Sequence, residues 1–301
     1  MIALITAALL VFGPPADSLR DSIQARIAQL PGAEAGLAYI DLASGDALFL
    51  NADTSFHAAS TMKVPVMIEL YRRASDGGFQ MSQGLLIVNQ FASIVDGSSY
   101  ALSATDDSDS TLYHRIGERV PVDTLLRLMI TRSSNFATNT LIALVGAERV
   151  TRSMRGLGAN RIQVLRGVED GKAYERGMNN MTTARDLAVI LRAIEEGRAA
   201  PAAATREMRD ILLAQEFHEQ IPAGLPPGVP VAHKTGSITG HMHDAAIVYP
   251  PGRKPYVLVV LTRGIPDGAK ASKLIADLSA LVYAHSTSRA ASWARQARGA
   301  R

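Results

Sequence analysis

Apolar residues recur at helical spacing early in the chain. Leu19, Ile23, Ile27 and Leu30 follow the capping candidates Asp17 and Ser18, and Pro31-Gly32 ends the helix they predict. Two short extended runs come next, Gly36–Leu42 and Ala47–Leu50, joined by Ser44-Gly45-Asp46, which predicts a hairpin. Residues from about 60 to 200 carry a mainly helical period, clearest over 60–74, 121–131, 135–145 and 183–195. The last third returns to extended runs, Val229–His233, Ala245–Tyr249 and Tyr256–Thr262, with Pro250-Pro251-Gly252 turning between the last two. A final amphipathic helix is predicted from about Ala269 to Ala284. The polar, Asp- and Ser-rich stretch Asp96–Ser110 reads as a surface loop, and the Ala/Arg/Ser-rich tail after Ser286 reads as frayed.

Strands at both ends of a helical block predict an α/β (α+β) fold. Residues 17–60 and 200–288 would form a discontinuous α/β lobe, residues 61–199 an inserted all-α lobe, and residues 289–301 a frayed tail. A binding cleft is expected where the lobes meet. At the front, Met1–Phe12 is an apolar run of signal-peptide length, too short to span a bilayer, and the chain turns charged after Asp17. Residues 1–16 are therefore expected to be a signal peptide. The mature protein is expected to be exported, periplasmic or secreted, with no stable membrane insertion once the signal is removed.

Composition narrows the function classes. With 47% hydrophobic residues the chain can bury a core without staples, and the absence of cysteine removes disulfide, thiolate, Cys-ligated zinc and lipid-anchor readings together. The net charge is +3, but the 31 basic residues are interleaved with 28 acidic ones and form no tract with aromatic neighbours, so nucleic acid is excluded as a partner. Nothing argues against a monomer, which is the expected state.

Three segments carry candidate chemistry. Ser60-Thr61-Met62-Lys63 is followed by Pro65, a residue tolerated only near the start of a helix. Ser60 would then sit at a helix N-terminus, where backbone N–H groups favour developing negative charge, and Lys63 at i+3 could reach its hydroxyl. A neutral amine there could take the serine proton and make a nucleophile. Ser133-Ser134-Asn135 falls between two helical runs, where Ser133 or Ser134 serves as an N-cap; Ser133 could also relay a proton to a departing group while Asn135 orients Lys63 and a substrate carbonyl. Lys234-Thr235-Gly236-Ser237 ends an extended run, offering a cation and a hydroxyl to an anionic carboxylate and a glycine for close approach. A second ammonium near Lys63 would lower the pKa of Lys63.

In this order the segments resemble the active-site motifs of class A β-lactamases and penicillin-binding D,D-peptidases. The matching stretches are Phe56 to Pro65, Met129 to Asn135 with Ala137-Thr138-Asn139, and His233 to Ser237 with Asp244 to Ile247; the resemblance covers nearly the whole chain. It implies an antiparallel five-stranded sheet flanked by N- and C-terminal helices, an inserted all-α lobe, and an active site between the lobes. It further implies that Ser60 is acylated by a β-lactam or a peptidoglycan stem peptide, with no cofactor and no metal. By the same resemblance the N–H groups of Ser60 and Ser237 form the oxyanion hole, and Ser133 protonates the leaving nitrogen. Asn135, Lys234, Thr235, Gly236 and Ser237 would bind substrate.

Three features depart from the family's pattern. The Glu-x-x-Leu-Asn segment that supplies a deacylating glutamate in class A enzymes is absent from Leu165–Asn180; Glu169 is the best substitute and Glu175 the second. Ser134 stands where an aspartate is usual, and the 73 positions from Ser60 to Ser133 exceed the typical spacing, with the extra length near the Asp-rich segment. The leading expectation is a class A-like β-lactamase, against a D,D-peptidase or a β-lactam sensor that stays acylated. A zinc hydrolase built on His241-Met242-His243-Asp244 lacks further ligands at recognisable spacing, and those histidines are expected to border the cleft or cap the turn before the next strand.

Overall fold

The computed structural model describes residues 16–299, with side chains described for residues 18–288. The expected signal peptide lies outside the described residues, apart from Ala16, which opens the first helix.

Helix α1 (Ala16–Ala28) leads into the expected hairpin, β1 (Glu34–Asp41) and β2 (Ala47–Leu50). After β3 (Phe56–His57) comes a 3-10 turn, Ala59–Met62, and then α2 (Lys63–Ser75). The single helix expected from residue 60 is thus split. Ala59 sits at φ +46°, outside the right-handed region, while Pro65 is the third residue of α2, where a missing N–H breaks no intrahelical bond. Two short ladders follow, β4 (Gly84–Leu86) with β7 (Arg119–Pro121) and β5 (Phe91–Ala92) with β6 (Ser99–Tyr100). The helical block contains α3 (Val122–Thr131), α4 (Asn135–Val145), α5 (Ala147–Gly156) and the short α6 (Gly171–Glu175). Then come β8 (Met181–Thr182), which pairs with β3, and helices α7 (Ala184–Glu195) and α8 (Ala202–Leu213). The chain returns as β9 (Val231–Ile238), β10 (His241–Val248) and β11 (Tyr256–Arg263), and ends in α9 (Gly268–Gly299). That last helix continues well past Ala284, through much of the stretch expected to be a frayed tail.

The long strands form one five-stranded sheet in the order β2-β1-β11-β10-β9, each neighbouring pair antiparallel. Strand β9 is therefore an edge. It runs on past His233, through Lys234-Thr235-Gly236, to Ile238, and His241 pairs with Ile238 across a two-residue turn. Gly240 at φ +72° makes so tight a turn possible. This corrects the expectation that His241 and His243 cap a turn before the next strand, because both lie within β10 itself.

The sheet is buried on both faces, which is why its central strands read as near-continuous apolar runs. On one face Leu37, Tyr39, Leu258 and Val260 pack with Leu19 and Ile23 of α1 and Leu274, Ile275 and Leu278 of α9. On the other, Ala38, Ile40, Val257, Val259 and Leu261 join the core of the helical block, which includes Leu187, Ile190, Leu191 and Ile194 of α7. Helix α7 packs directly on β1, β10 and β11, and α8 on β9. Among the described residues no helix is long and apolar enough to cross a membrane.

Candidate active site

Ser60 sits in the 3-10 turn, half-buried, at the point where that turn meets β9. The turn is held from inside. Thr61 Oγ1 donates to Ala58 O (2.5 Å), and Ala59 N donates to His57 Nδ1 (3.0 Å). A Cβ built on Gly236 would stand 3.0 Å from both Ser60 N and Thr61 N, so a side chain there would press the edge strand away from the serine backbone. The next residue, Ser237, lines the same cleft as Ser60.

Lys63 and Lys234 are both fully buried, and both donate to one hydroxyl. Lys63 Nζ lies 3.0 Å from Ser133 Oγ, and Lys234 Nζ lies 3.1 Å from it. Lys63 also donates to Ser133 O (2.6 Å) and Asn135 Oδ1 (2.9 Å), and Lys234 to Thr235 O (2.9 Å). Ser133 adopts φ +58°, a left-handed conformation that non-glycine residues rarely take, and its carbonyl and hydroxyl both serve Lys63. The hydroxyl flanked by two amines is thus Ser133, not Ser60, and the hydrogen bonds of Lys63 go to the second motif. Burial drives the Lys63 pKa far down, and the Lys234 charge pushes it the same way against Asp107 and Glu169. Burial also lowers Lys234, to about 7, with Asp244 opposing.

Ser134 is the N-cap of α4, accepting from Ala137 N (3.2 Å), so the second motif both starts a helix and presents two functional side chains. Two residues of α4 then organise the loop opposite. Asn135 Nδ2 donates to Glu169 Oε1 (3.2 Å). Asn139 clamps the loop backbone, accepting from Val168 N (2.6 Å) and donating to Val168 O (3.0 Å). A Cβ on Gly167 would come within 2.5 Å of Asn139 Oδ1, so the clamp requires glycine there. The loop is cinched at its base. Asn180 Oδ1 accepts from Leu165 N and Arg166 N, and buried Arg166 donates to Met178 O and Asn179 Oδ1. Glu169 stands at φ +60° with its carboxylate facing the cleft that Ser60 lines. Glu175, exposed at the end of α6, is not among the residues lining that cleft.

The cleft, about 380 Å³, is lined by Ser60, Asn135, Glu169, Tyr174, Ser237 and Thr239 among others, within the size range of small-ligand sites. It lies where the sheet edge meets the helical block, as expected. The His241–Asp244 segment does not form a metal site. His243 donates from Nε2 to His57 O (2.9 Å) and accepts at Nδ1 from Thr262 N (3.2 Å), and burial holds its pKa down at about 4. Asp244 pairs instead with His233 (3.0 Å) and accepts from Ile221 N. Among the described residues no group of three His, Asp or Glu side chains could hold an ion.

The model of the Beta-lactamase enzyme family matches residues 18–286. The chain belongs to this family. The beta-lactamase AST-1 of Nocardia asteroides is 30% identical over 279 residues, 89% of this chain and 86% of that protein. A beta-lactamase of Streptomyces albus G is 28% identical over 251 residues, 82% and 78% of the two chains. Among solved structures, the acyl-enzyme complex of a PBP-A point mutant with penicillin G superposes with a TM-score of 0.76 at 27% identity, covering 90% of this chain and 97% of that one. A beta-lactamase from Sphaerobacter thermophilus DSM 20745 superposes with a TM-score of 0.77 at 26% identity, covering 91% and 98%.

Within this beta-lactamase family member, sequence reading left several functional contacts unmarked. Asn139 lies in one of the matching stretches but gives no hint of gripping Val168, since its partner is 29 positions away. Asp107 was hidden in a polar stretch read as a surface loop, although its carboxylate bonds the N-terminus of α4.

Proposed function

We propose that this chain is a serine β-lactamase that acylates Ser60 and frees the ester with Glu169. One observation carries the reading. A continuous chain of hydrogen bonds runs Lys234–Ser133–Lys63–Asn135–Glu169 beside the cleft lined by Ser60.

The substrate carboxylate is held by the Lys234 ammonium and the Thr235 hydroxyl, and its lactam carbonyl is directed toward the N–H groups of Ser60 and Ser237. Donors placed where the oxyanion forms are worth about 3 kcal/mol each in other hydrolases. Neutral Lys63, an N–H donor to Ser133 and Asn135, turns its lone pair to Ser60 and takes the hydroxyl proton as Ser60 Oγ bonds the carbonyl carbon. The carbon–nitrogen bond then breaks, and the nitrogen takes the Ser133 proton, which the adjacent ammonium groups restore. Glu169 next takes a proton from water as its oxygen bonds the ester carbon; the bond from that carbon to Ser60 Oγ then breaks, and the proton passes back from Glu169 to Ser60, restoring both groups. Export, expected from Met1–Phe12, would place the enzyme outside the cytoplasm, where β-lactams are met.

A chromogenic cephalosporin mixed with enzyme tests this directly. Many turnovers per chain are expected from the native protein, and none from Ser60→Ala. Glu169→Gln is expected to release about one equivalent of product and then stall. A one-equivalent burst from the native protein would mean that it is acylated but does not turn over. Unchanged turnover in Glu169→Gln would remove that residue from the mechanism.

A further inference from the structure

We infer that Asp107 is a positioning residue for acylation, supplying from a distant loop the carboxylate that the second motif lacks at Ser134. The inference rests on the reading of Ser60 as the acylated residue.

The first turn of α4 presents N–H groups that have no intrahelical partner. Asp107 Oδ1 accepts from Asn135 N at 2.8 Å, its Oδ2 accepts from Phe136 N at 2.9 Å, and Ser134 Oγ accepts from Ala137 N at 3.2 Å. The carboxylate thus fixes the backbone of the residue whose side chain joins Lys63 to Glu169. It is itself fixed by Tyr113 OH at 3.1 Å and Asp109 N at 3.2 Å. The same loop grips the preceding turn, because Ser108 Oγ donates to Arg132 O (2.8 Å) and Ser133 O (3.0 Å), the latter also the acceptor for Lys63. Half-buried Asp107 lines a second small cavity together with Asn135 and Glu169, which places it beside the machinery. A bidentate carboxylate on two helix-start N–H groups adds charge as well as shape, since anions are favoured there.

The charge has a consequence that bracing alone would not. The ionised groups facing Lys63 are Lys234 from β9, Asp107 from the 96–110 loop and Glu169 from the loop after residue 165. Lys234 disfavours the Lys63 ammonium, while Asp107 and Glu169 favour it. Removing the Asp107 charge lets the neutral amine persist to lower pH.

Asp107→Asn and Asp107→Ala test this, with burst acylation of Ser60 by a chromogenic cephalosporin followed from pH 5 to 9 and thermal unfolding measured alongside. Native protein is run in parallel; if it forms no acyl-Ser60, the functional reading fails, and that failure is separate from any outcome for the variants. Asp107→Asn, which keeps the shape, is expected to fold and to acylate roughly 10- to 100-fold more slowly, as small misplacements of a catalytic group do. Its acid limb is expected to move to lower pH. Adding Ser134→Asp to Asp107→Ala is expected to recover most of the lost rate. Native acylation rates in both variants would overturn the inference. So would a slower rate with an unmoved acid limb and no recovery by Ser134→Asp, which would leave Asp107 a brace for its loop.

Discussion

At the residue scale, the site depends on two amines that cannot both hold a proton comfortably. Lys63 and Lys234 share Ser133 Oγ at 3.0 and 3.1 Å in a setting closed to water. Burial costs each its charge, and the Lys234 ammonium raises that cost for Lys63. The sign is opposite for their two tasks. Lys63 works as the neutral amine, whereas Lys234 must be charged to hold a carboxylate. With Lys234 near 7, its ammonium is present below that pH and lost above it. For a carboxylate-bearing β-lactam, KM is therefore expected to rise as pH passes upward through about 7. In Lys234→Met, KM is expected to be raised roughly tenfold or more below pH 7, the worth of a charge-assisted hydrogen bond, and the alkaline rise should vanish, so that native and variant converge above that pH. Persistence of that rise in Lys234→Met would assign it to another group. Steady-state kinetics across the pH range decide between the two.

At the element scale, α4 is the organiser. Its N-terminus carries Asn135 toward Lys63 and Glu169, and one turn later Asn139 grips the loop that carries Glu169. Asn139→Ala removes these backbone clamps, each worth about 1 kcal/mol, and frees a loop strained at φ +60°. Acylation of Ser60 is expected to stay within about threefold of native, while acyl-enzyme accumulates and turnover falls more than tenfold. Burst kinetics separate the two steps, and equal loss in both would contradict the division of labour. The elements themselves were largely legible from apolar period, most plainly in α3, whose buried residues Val122, Leu125, Leu126, Met129 and Ile130 form one stripe. Helices α5 and α8 passed unmarked, the former with only Val150 and Met154 fully buried and the latter flanked by polar, proline-containing stretches. The extent of β9 was also misjudged. Its edge continues through Lys234-Thr235-Gly236 since pairing with β10, not local propensity, sets its end. Side-chain contacts were least legible. The grip of Asp107 on α4 spans 28 positions, and no local pattern announces it.

At the scale of the whole molecule, one sheet does two jobs. Its faces are buried between α1 with α9 on one side and the helical block on the other, which leaves ladder groups without a strand partner at the outer edges of β2 and, beside the site, β9. The first motif lies against this edge, and the second and third are tied together through Ser133, so the fold closes the cleft around Ser60 only when sheet and helices are docked. That convergence was expected from the order of the motifs, but the detail that both amines meet at Ser133 was not, because it depends on a left-handed residue between two helices. The account stands on covalent chemistry at one serine. The most direct measurement is the intact mass of the native protein rapidly quenched after mixing with a penicillin, followed by peptide mapping. One penicilloyl group per chain, mapped to Ser60 and absent from Ser60→Ala, is the predicted result. An adduct on any other residue, or hydrolysis that survives in Ser60→Ala, would contradict it.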